Sequence, residues 1–229
     1  DIYKPYIKKN VSVQNCADYM NSFGKYMDGN RQWVGCPLVV HRRCISPMFD
    51  VCNELSYNNI MRYAVAEPSK EKCRKFVYES SRWIHVTGTE RGNKNHFVEA
   101  EWEVVKNIIN TSIQKNSSQI TNDLFIISPF KSVVNETKSM INKNFADIEN
   151  INEWTDSHVG TVHTFQGKGA SEVVFMLGCD ASSKGAVCWV NENIVNVAVS
   201  RAKYRLYVIG DKELWYECKS MRILQHRIG

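Results

Sequence analysis

Apolar residues along this chain fall into short continuous runs separated by segments with helical periodicity. Runs of strand length occupy residues 38–40, 83–86, 124–127, 159–162, 173–177 and 206–209. Helical spacing follows Ser46 and Pro47, which suit an N-cap and a first turn, and recurs in residues 98–109, 132–142 and 194–203. Apolar strands that alternate with helices are typical of a parallel sheet covered on both faces. The pattern therefore predicts an α/β fold, a three-layer domain with a mainly parallel sheet and helices on both faces.

The first residues lack this pattern. Residues 1–35 are polar, with one short helix expected at 17–26, and we expect them to form an irregular lead-in. Residues 36–229 are expected to form one domain. The chain does not begin with Met, which favours a fragment of a longer protein. Its start has no apolar signal core and no run approaches membrane length, so we expect a cytoplasmic protein without membrane contact.

Composition changes this picture only slightly. The chain is 43% hydrophobic and 23% charged, which is ordinary for a globular domain. The net charge of +5 mildly favours a polyanionic partner, although proteins that bind no nucleic acid often carry as much. None of the eight cysteines is spaced C-x-x-C, so we expect free, mostly buried thiols and no metal site.

Two segments carry arginines beside predicted strands. His41-Arg42-Arg43-Cys44 follows the strand at 38–40, and Arg201 precedes the strand at 206–209. Arginine suits phosphate because its rigid fork bonds two oxygens and keeps its charge. Arg201, expected on a short helix, is therefore a candidate arginine finger on a neighbouring nucleotide. The alternatives are a solvated loop with one packed arginine for the first segment and a surface ion pair for Arg201.

A third segment, residues 160–169, reads GTVHTFQGKG and follows another predicted strand. Glycines let backbone N–H groups approach phosphate or sugar, and Thr and His side chains donate to nucleic-acid backbones. The spacing does not fit the phosphate loop G-x-x-x-x-G-K-[ST], and no other segment fits it. A flexible turn is the alternative. We expect all three segments at the carboxyl ends of strands, where parallel sheets carry their working residues.

In this order the segments resemble the C-terminal motor domain of superfamily 1 helicases, in the branch of Upf-like RNA helicases and related DNA helicases. HRRCISP resembles the first arginine element of that domain, IISPF resembles motif IV, TVHTFQGK resembles motif V and NVAVSRAK resembles motif VI. The resemblance covers about residues 37–211. It implies a RecA-like (P-loop NTPase-like) domain, the second of two motor lobes, to which residues 1–35 would link the first lobe of the same polypeptide.

The resemblance also implies roles for individual residues. Arg43 and Arg201 would be catalytic arginines at the γ-phosphate of ATP. Contacts to ATP would come from Gln166, Gly167, Lys168 and Gly169. Contacts to single-stranded DNA or RNA would come from Ser128, Pro129, Phe130, Thr161, His163 and Thr164. The Mg²⁺ that accompanies ATP would be held by the first lobe.

Some of these residues have plain structural alternatives. His163 would then be a loop residue with internal partners, and Phe130 and Phe165 would be core residues rather than stacking partners for bases. We favour the core for both phenylalanines. Trp83, Trp102 and Trp189 are also assigned to packing.

One departure from the family concerns the ribose. Family members place an acidic residue after Gln-Gly-Lys, whereas Gly169 stands here and Glu172 follows three positions later. The chain also lacks a phosphate loop and a paired acidic motif, so we expect no ATP hydrolysis by this chain alone. Two other functions stay open: a non-catalytic RecA-like module that binds nucleic acid or a partner, and a different nucleotide-dependent enzyme, such as a kinase or small NTPase, with a self-contained site.

Overall fold

The computed structural model describes residues 13–27, 32–35, 39–92, 94–116 and 120–229. Its strands are β1 Lys25–Met27, β2 Gln32–Val34, β3 Val40–His41, β4 Arg62–Tyr63, β5 Arg82–His85, β6 Leu124–Ser128, β7 Val159–Thr161, β8 Ala170–Met176 and β9 Ala202–Gly210. Its helices are α1 Val13–Met20, α2 Met48–Ser56, α3 Lys70–Lys75, α4 Glu99–Lys115, α5 Lys131–Asn144, α6 Ile151–His158, α7 Lys184–Trp189, α8 Glu192–Val199, α9 Lys212–Tyr216 and α10 Lys219–Ile228.

Five of the strands form one parallel sheet in the order β5-β9-β8-β6-β7. In its centre, Val174 of β8 lies beside Tyr207 of β9 and Ile126 of β6. All seven residues of β8 are buried. Because alternate residues of a strand face opposite sides of the sheet, both faces of the sheet must be covered. The predicted α/β class, with a parallel sheet and helices on both faces, is confirmed.

Two short strand pairs lie outside this sheet. β3 pairs in parallel with β4, so the strand expected at 38–40 is not part of the main sheet, and residue 38 lies outside the described residues. β1 and β2 pair antiparallel, with the rings of Tyr26 and Trp33 5.0 Å apart. The expected helix at 17–26 is therefore wrong beyond Met20, because this cross-strand aromatic contact stabilises a strand there. Residues 1–12 of the expected lead-in lie outside the described part.

Two helix ends differ from the prediction. α2 begins where expected, but Pro47 is its N-cap and the Ser46 hydroxyl donates to Asp50 Oδ2 at 2.6 Å. α8 ends at Val199 rather than at 203, because the following residues hydrogen-bond to β8 as the first part of β9. Arg201 therefore lies in the turn between α8 and β9, not on a helix.

The core contains most of the aromatic residues. Phe130, Phe165, Trp83 and Trp102 are buried, which confirms the packing prediction for these four. The prediction is wrong for Trp189, which is 53% exposed at the end of α7.

The seven described cysteines are free, as expected. Only Cys44, Cys52 and Cys179 among them are fully buried, so "mostly buried" overstated their burial. No helix in the described ranges is both long and apolar enough to span a membrane.

Candidate functional site

The loop after β3 is tied to the start of β9. The Ile45 amide donates to the Lys203 carbonyl at 3.0 Å, and this bond crosses from one predicted site segment to another. A second contact joins α2, which follows the 41–44 segment, to α8, which leads to Arg201. Cys52 Sγ on α2 lies 3.8 Å from the Asn196 carbonyl on α8. The two arginine-bearing segments are therefore neighbours in the folded protein.

His41 shapes the loop from inside. It is buried, and its Nε2 lies 3.0 Å from Cys44 Sγ and accepts from the Cys44 amide at 3.3 Å. Burial and the nearby charge of Arg43 lower the pKa of His41, so the imidazole is neutral at neutral pH. The neighbouring Cys52 thiol, and then burial, raise the pKa of Cys44, so its thiol stays protonated. His41 is thus a structural residue that leaves Arg43 exposed.

Arg43 and Arg201 line one cavity of about 310 Å³. Three more cations, Lys72, Lys168 and Lys203, line the same cavity. Asp123 is the one carboxylate among the described residues that line the cavity. It forms an ion pair with Lys72, whose Nζ lies 3.1 Å from Asp123 Oδ2. Five cations against one carboxylate make this cavity suited to an anion with several negative charges.

The two arginines differ in their freedom. Arg201 is 3% exposed, and its guanidinium donates to the carbonyls of Val197 (3.0 Å), Phe165 (3.0 Å) and Lys168 (2.7 Å) and to Ser200 Oγ (3.1 Å). Burial, and then the charge of Arg43, lower the pKa of Arg201. Arg43 makes no hydrogen bond or ion pair within the described part of the chain. Arg201 therefore holds the 165–168 segment in place, while Arg43 is free to move.

The cavity lies at the amino ends of β8 and β9, so the expected carboxyl-end position is wrong for residues 167–169 and for Arg201, whereas Arg43 does follow the carboxyl end of β3. Gly167, Lys168 and Gly169 immediately precede β8, and Arg201 immediately precedes β9. The segment from 162 to 169 leaves the carboxyl end of β7 and passes β6 to reach the amino end of β8. A crossover without a helix thus carries one continuous motif from one end of the sheet to the other.

The nucleotide candidates are only partly gathered. Gly167, Lys168 and Gly169 line the cavity with both arginines, whereas the exposed Gln166 is not among the lining residues. The φ of +90° at Gly167 favours glycine, and open space surrounds it. Lys72, Asp123 and Lys203 also line the cavity and were missed. Lys203 stands inside the quoted NVAVSRAK segment, while Lys72 and Asp123 carry no motif signal.

Glu172 does not take the place of the family's ribose-binding acid. It is buried in β8, accepts from the Val77 amide at 2.8 Å and forms a very short hydrogen bond with the Tyr207 hydroxyl. Burial raises the pKa of Glu172. Its carboxyl group is therefore already engaged in the core.

The nucleic-acid candidates meet at the carboxyl ends of β6 and β7. The Val162 amide donates to the Ser128 carbonyl at 3.1 Å, and Thr161 Oγ1 lies 2.9 Å from Thr164 Oγ1. His163 and Thr164 are exposed, whereas the side chains of Ser128, Pro129 and Phe130 are buried. Ser128 Oγ also accepts from the Phe130 amide at 3.2 Å. Contacts from the 128–130 turn would therefore come mainly from its backbone, and its role in binding nucleic acid stays a prediction.

One Glu–His–Cys cluster lies in the described residues. Ligand-type atoms of Glu90, His96 and Cys179 all lie within 4.8 Å of one another. The Glu90 carboxylate accepts from the His96 amide (2.9 Å) and the Asp180 amide (3.3 Å) and lies 3.1 Å from His96 Nδ1. These bonds lock two loops together. The prediction that the chain binds no metal stays a prediction.

Comparison with known proteins identifies the family. Residues 23–213 match the AAA domain family, so the chain belongs to it, and this AAA domain is of the superfamily 1 helicase type. No curated protein matches the chain. One matching solved structure is the complex of Arterivirus nonstructural protein 10 (helicase) with DNA, with 13% identity and a TM-score of 0.35. That match covers 79% of this chain but 27% of the other, so this chain spans about a quarter of that protein. The helicase-domain resemblance is confirmed at the family level, and the assignment to the second lobe stays a prediction.

Proposed function

We propose that this chain is the second motor lobe of an ATP-dependent superfamily 1 helicase or translocase. In this proposal Arg43 and Lys168 reach the phosphates of ATP held by another lobe, and Arg201 positions the segment that carries Lys168. The observation that carries the proposal is that Arg43 and Arg201, 158 residues apart in the chain, line one cationic cavity.

The donor chemistry of the cavity fits the triphosphate end of ATP. Guanidinium and ammonium groups are suitable partners for phosphate oxygens. An anion placed there would also relieve the repulsion between Arg43 and Arg201, which the lowered pKa of Arg201 reflects after the effect of burial. ATP supplies the phosphoryl group that is transferred to water. Asp123 is already paired with Lys72, so we assign the Mg²⁺ ligands to the other lobe.

Arg43 is the stronger candidate for the arginine that stabilises developing charge. It is exposed and has no partner in the described residues, so it can follow a phosphate as two lobes close. Arginine fingers accelerate hydrolysis by roughly 10³- to 10⁵-fold in other nucleotide hydrolases. Arg201 acts indirectly, because it holds the 165–168 segment that carries Lys168. Its four hydrogen bonds also fix the orientation of its one remaining N–H donor.

Single-stranded nucleic acid would lie across the opposite ends of the strands. Thr161, His163 and Thr164 present hydroxyl and imidazole groups there, and these donate well to phosphate oxygens. Binding of this kind is independent of sequence and weakens as salt rises. The 162–169 segment connects this surface to the cationic cavity, and in this proposal it couples the two sites.

Substitution of Arg43 in the full-length protein tests the proposal. Arg43→Ala should lower the kcat of nucleic-acid-stimulated ATP hydrolysis by roughly 10³-fold. The dissociation constant of ATP should change much less, because in this proposal the other lobe makes most of the contacts to the phosphates. Arg42→Ala is the matched control, since Arg42 is also exposed but does not line the cavity, and its kcat should stay within about twofold of wild type.

Two results would overturn the proposal. Unchanged ATP hydrolysis by Arg43→Ala would favour a non-catalytic RecA-like module, an alternative supported by the four bonds that Arg201 makes within the protein. Binding of ATP by the 229-residue chain alone with a dissociation constant near 1 μM would instead indicate a self-contained nucleotide site.

A further inference from the structure

Trp189 differs from the other tryptophans of the chain. It is 53% exposed, whereas Trp33 is half-buried and the remaining four are buried. Single exposed apolar side chains are common on protein surfaces, so the exposure of Trp189 gains meaning from the residues beside it.

The Trp189 ring packs against another aromatic ring on one side. Its centroid lies 6.2 Å from that of Phe130, with the two planes inclined by 37°. Phe130 is itself buried and packs against His96, with ring centroids 4.6 Å apart. Trp189 is therefore backed by a buried aromatic neighbour while about half of its surface is exposed to solvent.

This aromatic pair lies beside the nucleic-acid candidates. Phe130 ends the turn that begins at Ser128, and the Ser128 carbonyl accepts from the Val162 amide in the TVHT segment. Trp189 is therefore at the carboxyl end of β6, beside the 128–130 turn of the proposed nucleic-acid surface. The cationic cavity is at the other ends of the strands and does not include Trp189.

The charge around the pair suits a polyanion. Lys131 directly follows Phe130, and Lys184 begins the helix that Trp189 ends. Both lysines are exposed, and neither forms an ion pair with a carboxylate in the described ranges. Lys131 thus places an unpaired cation directly after Phe130, and single-stranded nucleic acids use a cation beside an aromatic ring through phosphate attraction and base stacking.

We infer that Trp189 is a stacking platform for one unpaired base of single-stranded nucleic acid. This inference rests on the proposed nucleic-acid function and adds to it a contact made through a base rather than through phosphates. A base can reach the ring only when it is free of its duplex neighbours. The platform therefore favours single strands over duplex and accepts any base, because every base has an aromatic face.

The experiment compares Trp189→Ala and Trp189→Phe with the wild-type chain. Binding of a fluorescein-labelled oligothymidine of about 20 nucleotides is measured by anisotropy at roughly 50 mM salt. Trp189→Ala should raise the dissociation constant by about 5- to 100-fold, and Trp189→Phe by less than about threefold, since it keeps an aromatic ring. Phe23→Ala is the matched control, because Phe23 is 87% exposed elsewhere, and its dissociation constant should be unchanged.

A strand of equal length without bases separates the platform from the proposed function. Wild type should bind this abasic strand more weakly than oligothymidine, and Trp189→Ala should bind the two strands equally. Equal binding of both strands by wild type, or unchanged oligothymidine binding by Trp189→Ala, would overturn the platform and leave the phosphate contacts standing. If wild type binds neither strand, the nucleic-acid function itself fails. A change in sedimentation of Trp189→Ala without a change in affinity would instead assign the ring to a second copy of the chain.

Discussion

Replacement of Arg201 by alanine tests the division of roles between the two arginines. In the folded protein the Arg201 guanidinium donates four hydrogen bonds, three of them to backbone carbonyls in the segments 165–168 and 197. Arg201→Ala removes all four donors at once. We therefore expect a loss of stability in the isolated chain, even with no nucleotide present.

The size of this loss follows from the surroundings of each bond. The bond from Nη1 to the Phe165 carbonyl is buried, and a hydrogen bond to a charged group contributes about 1.5–3 kcal/mol. The other three bonds are partly buried beside the cavity, where water can replace the lost donor. Loss of the repulsion between Arg201 and Arg43 offsets a little of the cost. We expect a net loss of about 3 kcal/mol in the free energy of unfolding.

The assay is thermal and urea unfolding of the 229-residue chain, followed by circular dichroism. For a domain of this length, 3 kcal/mol corresponds to a fall in Tm of about 6–12 °C. Arg43→Ala is the control and should change the free energy of unfolding by less than about 0.5 kcal/mol, because Arg43 is exposed and unbonded. A loss below about 1 kcal/mol for Arg201→Ala, or equal losses for the two variants, would refute the assigned roles.

Two further predictions concern the loop that follows β8. Burial raises the pKa of Glu101 well above its ordinary value, so the folded protein favours the protonated carboxyl group. The free energy of unfolding is therefore highest below the unfolded pKa of about 4.3, and this contribution is lost as pH rises through the folded pKa. Glu101→Gln, which keeps the bond from the Gly178 amide, should flatten the decline of Tm with rising pH, and parallel curves would contradict this reasoning. Gly178→Ala should cost about 2–4 kcal/mol in urea unfolding, because φ is +65° and a Cβ would meet the His96 carbonyl oxygen at 2.2 Å. Gly185→Ala in α7 meets open space and should be neutral or stabilising by up to about 1 kcal/mol, so equal losses in the two glycine variants would exclude the clash.

The sequence by itself determined the strands of the main sheet. Residues 124–127, 173–176 and 206–209 of β6, β8 and β9 are all buried, and strand segments covered on both faces are apolar at each position, which leaves a continuous run that is visible without a structure. The motifs were visible for a different reason, because they resemble a family through residue identity. Helix ends and the short β1–β2 pair were predicted less well, since they depend on contacts that are not written into local periodicity.

Only the tertiary structure decided how the site residues work. The partners of the Arg201 guanidinium include the carbonyls of residues 33 and 36 positions earlier, and a backbone carbonyl has no signature in the sequence. The end of the sheet at which Gly167 to Gly169 lie depends on a crossover that passes β6 without a helix. The exposure of Trp189 depends on where neighbouring elements stop covering α7. Each of these is a relation between distant segments, and such relations exist only once the chain is folded.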